Sequence, residues 1–200
     1  MLYMIPLTHI ICGIRRWESV KKSDILPEQK YLLWGIPFIF AAGAAMHYLY
    51  ELTGERAVIG ALAPVNESVW EHTKMVYLPT LAWWGGGYRR RRDRIDADRW
   101  FSASMWALLS SIVSMPALYY LYTGILGRHL LAVDISLLAV CAAIGQGVGA
   151  HVYRRGRGRP GLSAAAAVIL GIGAVFAIFT FRTPRLPIFR DGLTGRFGIR

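Results

Sequence analysis

The stretch Tyr31-Leu32-Leu33-Trp34-Gly35-Ile36-Pro37-Phe38-Ile39-Phe40-Ala41-Ala42-Gly43-Ala44-Ala45-Met46-His47-Tyr48-Leu49-Tyr50 holds no Asp, Glu, Lys or Arg. A helix of about twenty such residues crosses the roughly 30 Å hydrocarbon core of a bilayer. Trp34 lies near one end and Tyr48 and Tyr50 at the other, the placement of aromatic anchors at the two interfaces. Pro37 is expected to kink the helix. Working outward, comparable apolar blocks recur at about residues 68–88, 100–122, 130–152 and 162–181. The reading is an all-α, polytopic transmembrane helix bundle of about five spans, a single integral membrane domain over residues 1–200. Residues 1–30 form a cytoplasmic or interfacial segment, because the first apolar run is too short to span and lacks the basic start and small-residue cleavage site of a signal peptide.

Composition narrows the function classes. Of 200 residues, 54% are hydrophobic, and the apolar residues come in long blocks that a soluble core does not use. The net charge of +11 does not point to nucleic acid, since the basic residues sit in short clusters between those blocks. Such clusters set topology and meet anionic lipid head groups. The first thirty residues carry five Lys and Arg, residues 88–99 six and residues 153–160 four, whereas the two intervening loops carry Arg56 and Arg128 alone. That asymmetry puts the N-terminus and the basic loops in the cytoplasm. Cysteine labelling in intact cells is therefore expected to reach residues 54–60 and 125–128 and to spare 89–99 and 154–159. Labelling of the 89–99 loop from outside would reverse the orientation. Against the five-span model, the tail 182–200 would lie outside with Arg182, Arg185, Arg190, Arg196 and Arg200, which a tail packed on the bundle tolerates. Cys12 and Cys141 are too few and too far apart to suggest a disulfide or a zinc site.

The second block opens on Ala63-Pro64-Val65-Asn66-Glu67-Ser68-Val69-Trp70-Glu71-His72-Thr73-Lys74. Behind it, residues 75–88 carry no charge over about 21 Å of helix, less than the bilayer thickness, so the charged turns lie partly at membrane depth. Ionisable groups at such depth are costly and mark functional sites by default. Ser68 with Glu71 is a capping-box pattern, and Asn66 is a second N-cap candidate. Under the inferred topology, His47 and Glu51, the Glu67–Lys74 segment and Asp134 converge on the outer face. In the second span Glu67, Glu71 and Lys74 fall on one helical stripe, with His72 about 100° around from Glu71.

Two readings of this cluster are open. In the functional one, Glu67, Glu71 and His72 are catalytic candidates, Asn66, Lys74 and Asp134 substrate-binding candidates, and His47, Glu51, Glu71 and His72 candidate ligands of a divalent metal. Imidazole and carboxylate donors on neighbouring helices are the set that helical metal sites use, and a base beside a cation can serve acid–base chemistry. In the structural one, Glu71 completes a cap or pairs with Lys74, Glu67 favours a helix N-terminus, and the histidines are interfacial. Gln146 and Gly145-x-x-x-Gly149 read as helix-to-helix packing.

The segments His47-Tyr48-Leu49-Tyr50-Glu51 and 63–74, with a tail carrying Pro184-Arg185-Leu186-Pro187-Ile188-Phe189 and Phe197-Gly198-Ile199, resemble a family of small bacterial multi-pass membrane proteins of unknown function. The resemblance implies a bacterial inner-membrane protein whose tail belongs to the domain, and it brings no activity with it. The functions that fit are a membrane protein with an outward-facing polar site, a membrane-embedded metal-dependent hydrolase of a lipid-linked or envelope substrate, or a small proton-coupled permease, any of which could be a homo-oligomer.

Overall fold

A computed structural model describes residues 27–155 and 160–199. The interfacial segment expected before residue 27, and Arg157 and Arg159, lie outside the described residues. Backbone proximity separates residues 1–30 from a second unit, Tyr31–Arg200. Of the first unit only the opening turn of a helix is described, and the second unit holds everything that follows.

The elements in order are α1 (Pro27–His47), α2 (Leu49–Leu52), α3 (Ala57–Gly60), α4 (Val69–His72), α5 (Lys74–Arg91), α6 (Ala97–Leu126), α7 (Leu131–Arg155) and α8 (Leu162–Phe181), followed by a 3-10 turn at Pro187–Phe189. Among the described residues, α6, α7 and α8 are long and apolar enough to cross a membrane. Their outer faces carry Val113, Leu121, Ile135, Leu170 and Ile178 exposed, an apolar exterior that water would not tolerate on so many turns. Helices α1 and α5 cover the other two expected blocks, but neither meets that measure of length and hydropathy. Pro37 stands inside α1, which continues through it.

Two of the expected helices are interrupted in the structure. The first helix stops at His47 instead of running to Tyr50, and the chain restarts as the short α2. The second is divided: the Thr73 amide and hydroxyl both return to the Trp70 carbonyl, at 3.0 and 2.6 Å, tightening the turn between α4 and α5. At the other end of the bundle the capping is conventional. Asp96 accepts from the Arg99 amide at the start of α6 at 2.6 Å, and Asp98 accepts from the Leu162 amide at the start of α8 at 2.6 Å.

Helix α5 packs into the middle of the bundle. Met75 and Val76 meet Ile39, Met115, Leu138 and Cys141 in one cluster. Trp84 joins Leu32, Trp100, Ala107 and Tyr153 in a second, where the Trp100 indole donates to the Trp84 carbonyl at 2.9 Å. Tyr77 with Met105, Leu108, Ile169 and Phe176 makes a third against α8. Helices α6 and α7 form the most extensive pair. Their closeness depends on Gly145, where an added Cβ would stand 1.9 Å from Ser111 Oγ and 2.6 Å from the Ala107 carbonyl. Buried Gln146 beside it donates to the Leu32 carbonyl at 3.1 Å and accepts from the Trp84 indole at 3.3 Å, linking three helices.

Hydrogen bonds fix the ends of the bundle. The Arg99 guanidinium reaches the Tyr153 and Arg154 carbonyls at 2.5 and 2.9 Å, so the start of α6 meets the end of α7 beside the basic 89–94 loop. The end of α1, the 53–68 loop, α4 and the tail gather at the opposite end. There Trp70 packs in tilted contacts among Phe176, Phe179 and Phe189, with ring centroids 5.2, 5.5 and 4.9 Å away, and pins the tail to α4 and α8.

Candidate metal centre

The site is assembled by a loop that spends its polar atoms on itself. Pro64 leads into Asn66, whose Oδ1 accepts from the Ser68 amide at 3.0 Å, and Ser68 Oγ accepts from the Glu71 amide at 3.3 Å as the N-cap of α4. Only half of the capping box forms, because the Ser68 amide is already taken by Asn66. The Glu71 carboxylate turns instead to the Val65 amide at 3.1 Å and to Lys74 Nζ at 2.6 Å. Glu67 therefore stands just outside the helix, with its backbone carbonyl accepting from Gly192 of the tail at 3.3 Å.

Three side chains meet there. Glu67 Oε1 lies 3.3 Å from His47 Nε2, and Glu67 Oε2 lies 3.4 Å from His72 Nε2. The imidazoles stack with centroids 5.6 Å apart, and one donor atom from each of the three residues lies within 4.8 Å of the others. About a third of each side chain remains exposed, 27% for His47, 30% for His72 and 37% for Glu67, so the group is open on one side.

The protonation pattern carries more than the distances. His72 Nδ1 lies 2.8 Å from the Ser68 carbonyl, which can only accept, so Nδ1 holds a proton. In the neutral ring Nε2 then carries a lone pair, and that lone pair faces a carboxylate. A positive charge must lie between them, as a second proton or as a metal ion. The contacts of 3.3 and 3.4 Å exceed the ~2.7–2.9 Å of a charge-assisted hydrogen bond. Each separation is close to the edge of a tetrahedron with metal–ligand bonds of about 2.0–2.1 Å, roughly 3.3–3.4 Å, although the two contacts use different Glu67 oxygens and the set of one atom per residue lies within 4.8 Å. A backbone carbonyl holding the far nitrogen of a ligating His is also the usual support of such a ligand. His47 Nδ1 is buried without a hydrogen-bond partner among the described residues. Contact with the His72 imidazole, working against partial burial, holds the Glu67 carboxyl below its ordinary range, and His47 adds to this. Glu67 is thus a carboxylate at neutral pH, the form a cation requires.

The other expected residues are placed elsewhere. Glu71 and Lys74 form a buried pair beside the triad's helix, and Lys74 Nζ also donates to the Gly60 carbonyl at 2.8 Å and to Thr180 Oγ1 at 2.6 Å. Glu51 is exposed on α2. Asp134, near the start of α7, accepts from the Tyr122 hydroxyl and lies 3.5 Å from His129 Nδ1. Asn66 reaches the tail by donating from Nδ2 to the Gly198 carbonyl at 3.1 Å. The structure thus brings His47, Glu67 and His72 into one group and Glu71 and Lys74 into another.

Sequence reasoning does not single out Thr180 and takes in Asp191 only as part of the tail. Thr180 is an ordinary apolar-helix threonine until the fold sets it against Lys74. Asp191 did have a signal, since Asp191-Gly192 is turn chemistry. Its carboxylate accepts from the Leu193 amide at 3.0 Å and from the Thr194 hydroxyl, closing the tail turn. Burial works against its charge, but these donors prevail and keep it below the usual range.

Residues 20–199 match the model of a family of unknown function, DUF6512. The chain belongs to this family. The DUF6512 match takes in all three residues of the triad, the buried ion pair and the tail that is packed against them. No curated protein and no solved structure matches the chain.

Proposed function

We propose that this DUF6512 protein is a five-span bacterial inner-membrane protein with a cytoplasmic N-terminus, and that His47, Glu67 and His72 hold a divalent metal ion at its outer face. The observation that carries the reading is the His72 ring, whose Nδ1 is committed to the Ser68 carbonyl while Nε2 faces the Glu67 carboxylate at 3.4 Å. Two imidazoles and one carboxylate with an open side are the ligand set of catalytic zinc sites, whereas structural zinc sites are closed by four protein ligands.

Metal-dependent hydrolysis of a lipid-linked or envelope substrate is the reaction class that such a centre supports best. A bound divalent ion would supply Lewis acidity to the carbonyl or phosphoryl oxygen under attack. The chain's part is to fix the ligands: Ser68 sets the His72 tautomer, the end of α1 presents His47, and the tail holds the Glu67 backbone. A permease is less well supported, because carriers bind their cargo near the bilayer midplane and His47 is the last residue of its helix. The lipid surroundings, including anionic head groups at the basic loops, are part of the proposal. Zinc titration of the chelator-stripped protein tests it, with single replacements of the two histidines as the decisive comparison.

A further inference from the structure

At the end of the bundle remote from the triad, Arg90, Arg91, Asp93 and Arg94 line a cavity of about 400 Å³. The turn after α5 makes it: the Arg94 amide donates back to the Arg91 carbonyl at 2.8 Å, bringing Arg94 to the same hollow as Arg91. Arg91 is held in place by aromatic rings. Its guanidinium carbon lies 4.0 Å from the Tyr31 ring centroid, Tyr31 stacks on Trp83 at 4.4 Å, and the Tyr31 hydroxyl donates to the Trp83 carbonyl at 2.7 Å.

This arrangement leaves a donor unused. Arg91 Nη1 is buried and has no acceptor among the described residues, a state that is costly without a partner. No carboxylate among the described residues pairs with Arg90, Arg91 or Arg94. The single acid in the lining, Asp93, lies 3.8 Å from exposed Arg92 instead. Arginines in the last turn do offset the negative end of α5, but three of them around one hollow, one immobilised with a free N–H, exceed what that needs.

We infer that this pocket binds a phosphate group, with the pocket-facing side of the Arg91 guanidinium making the oriented contact and Arg90 and Arg94 closing around the remaining oxygens. The guanidinium fork matches phosphate oxygens two at a time, which an ammonium cannot do. The claim is a discrete site, beyond general attraction of basic loops to an anionic leaflet, and it does not depend on the metal centre.

Binding to the full-length protein in detergent is measured by calorimetry with two probes, short-chain phosphatidylglycerol and inorganic phosphate. Binding of either supports the site, and the tighter probe identifies its source as a lipid head group or a soluble phosphate. Arg91→Lys keeps the charge and loses the fork, so affinity is expected to fall by about tenfold or more. Arg94→Lys, at an exposed position where folding is not at stake, is expected to weaken binding in the same direction, and Arg92→Lys to leave it unchanged. Failure of both probes to bind the wild-type protein overturns the inference. So does undiminished binding in both Arg91→Lys and Arg94→Lys, because charge alone would then account for it.

Discussion

Lys74→Met is expected to destabilise the protein by about 3–5 kcal/mol in detergent, the usual cost of leaving one member of a buried ion pair without the other. The side chains of Lys74 and Glu71 are 1% and 4% exposed, and the ammonium bridges the Gly60 carbonyl, Glu71 and Thr180. Removing it leaves the Glu71 carboxylate with the Val65 amide and a hydroxyl and no countercharge. Glu71→Gln combined with Lys74→Met is expected to regain part of that loss, because no buried charge then remains. Denaturant or thermal unfolding of the two variants measures both. A loss below about 1 kcal/mol in Lys74→Met, the range of an exposed pair, would mean that water reaches the pair and that it does not hold the 60–65 loop to α8.

His47→Ala and His72→Ala are each expected to weaken zinc binding by more than about 100-fold, since loss of a support outside the ligand shell alone costs about 10–100-fold. Glu51→Gln is expected to bind as the wild type does, because Glu51 is exposed and outside the triad. In the wild-type protein, zinc at about 100 times its dissociation constant should add about 2.7 kcal/mol of stability, and each histidine variant should lose that increment. Falling pH should weaken binding as protons compete for the imidazoles. Equal zinc affinity in the wild type and both histidine variants would assign the triad to hydrogen bonding alone.

The sequence disclosed the residue types of the site and the segments that carry them, but not their partners. Glu67, Glu71 and Lys74 share a stripe only if one helix runs through all three, and α4 begins at Val69, which releases Glu67 from that periodicity. Glu67 is then free to face His47, while Glu71, three residues before Lys74 on the buried side, takes the lysine. Likewise, the spacing of His47 and Glu51 presumes a continuous helix, and α1 ends at His47. The apolar blocks were legible because span length and composition are local properties, and α6, α7 and α8 follow them closely. The tail was harder. Its attachment depends on Trp70 meeting Phe189 and on the Glu67 carbonyl meeting Gly192, contacts between distant parts of the chain that no local pattern encodes.

Elemental analysis of the full-length protein, purified in detergent without chelator from cells grown with ample zinc and manganese, tests the metal centre most directly. The account predicts about one equivalent of a divalent transition metal per chain in the wild-type protein, and almost none in the folded double variant His47→Ala with His72→Ala. Metal-free wild-type protein, or equal metal in both, would contradict it.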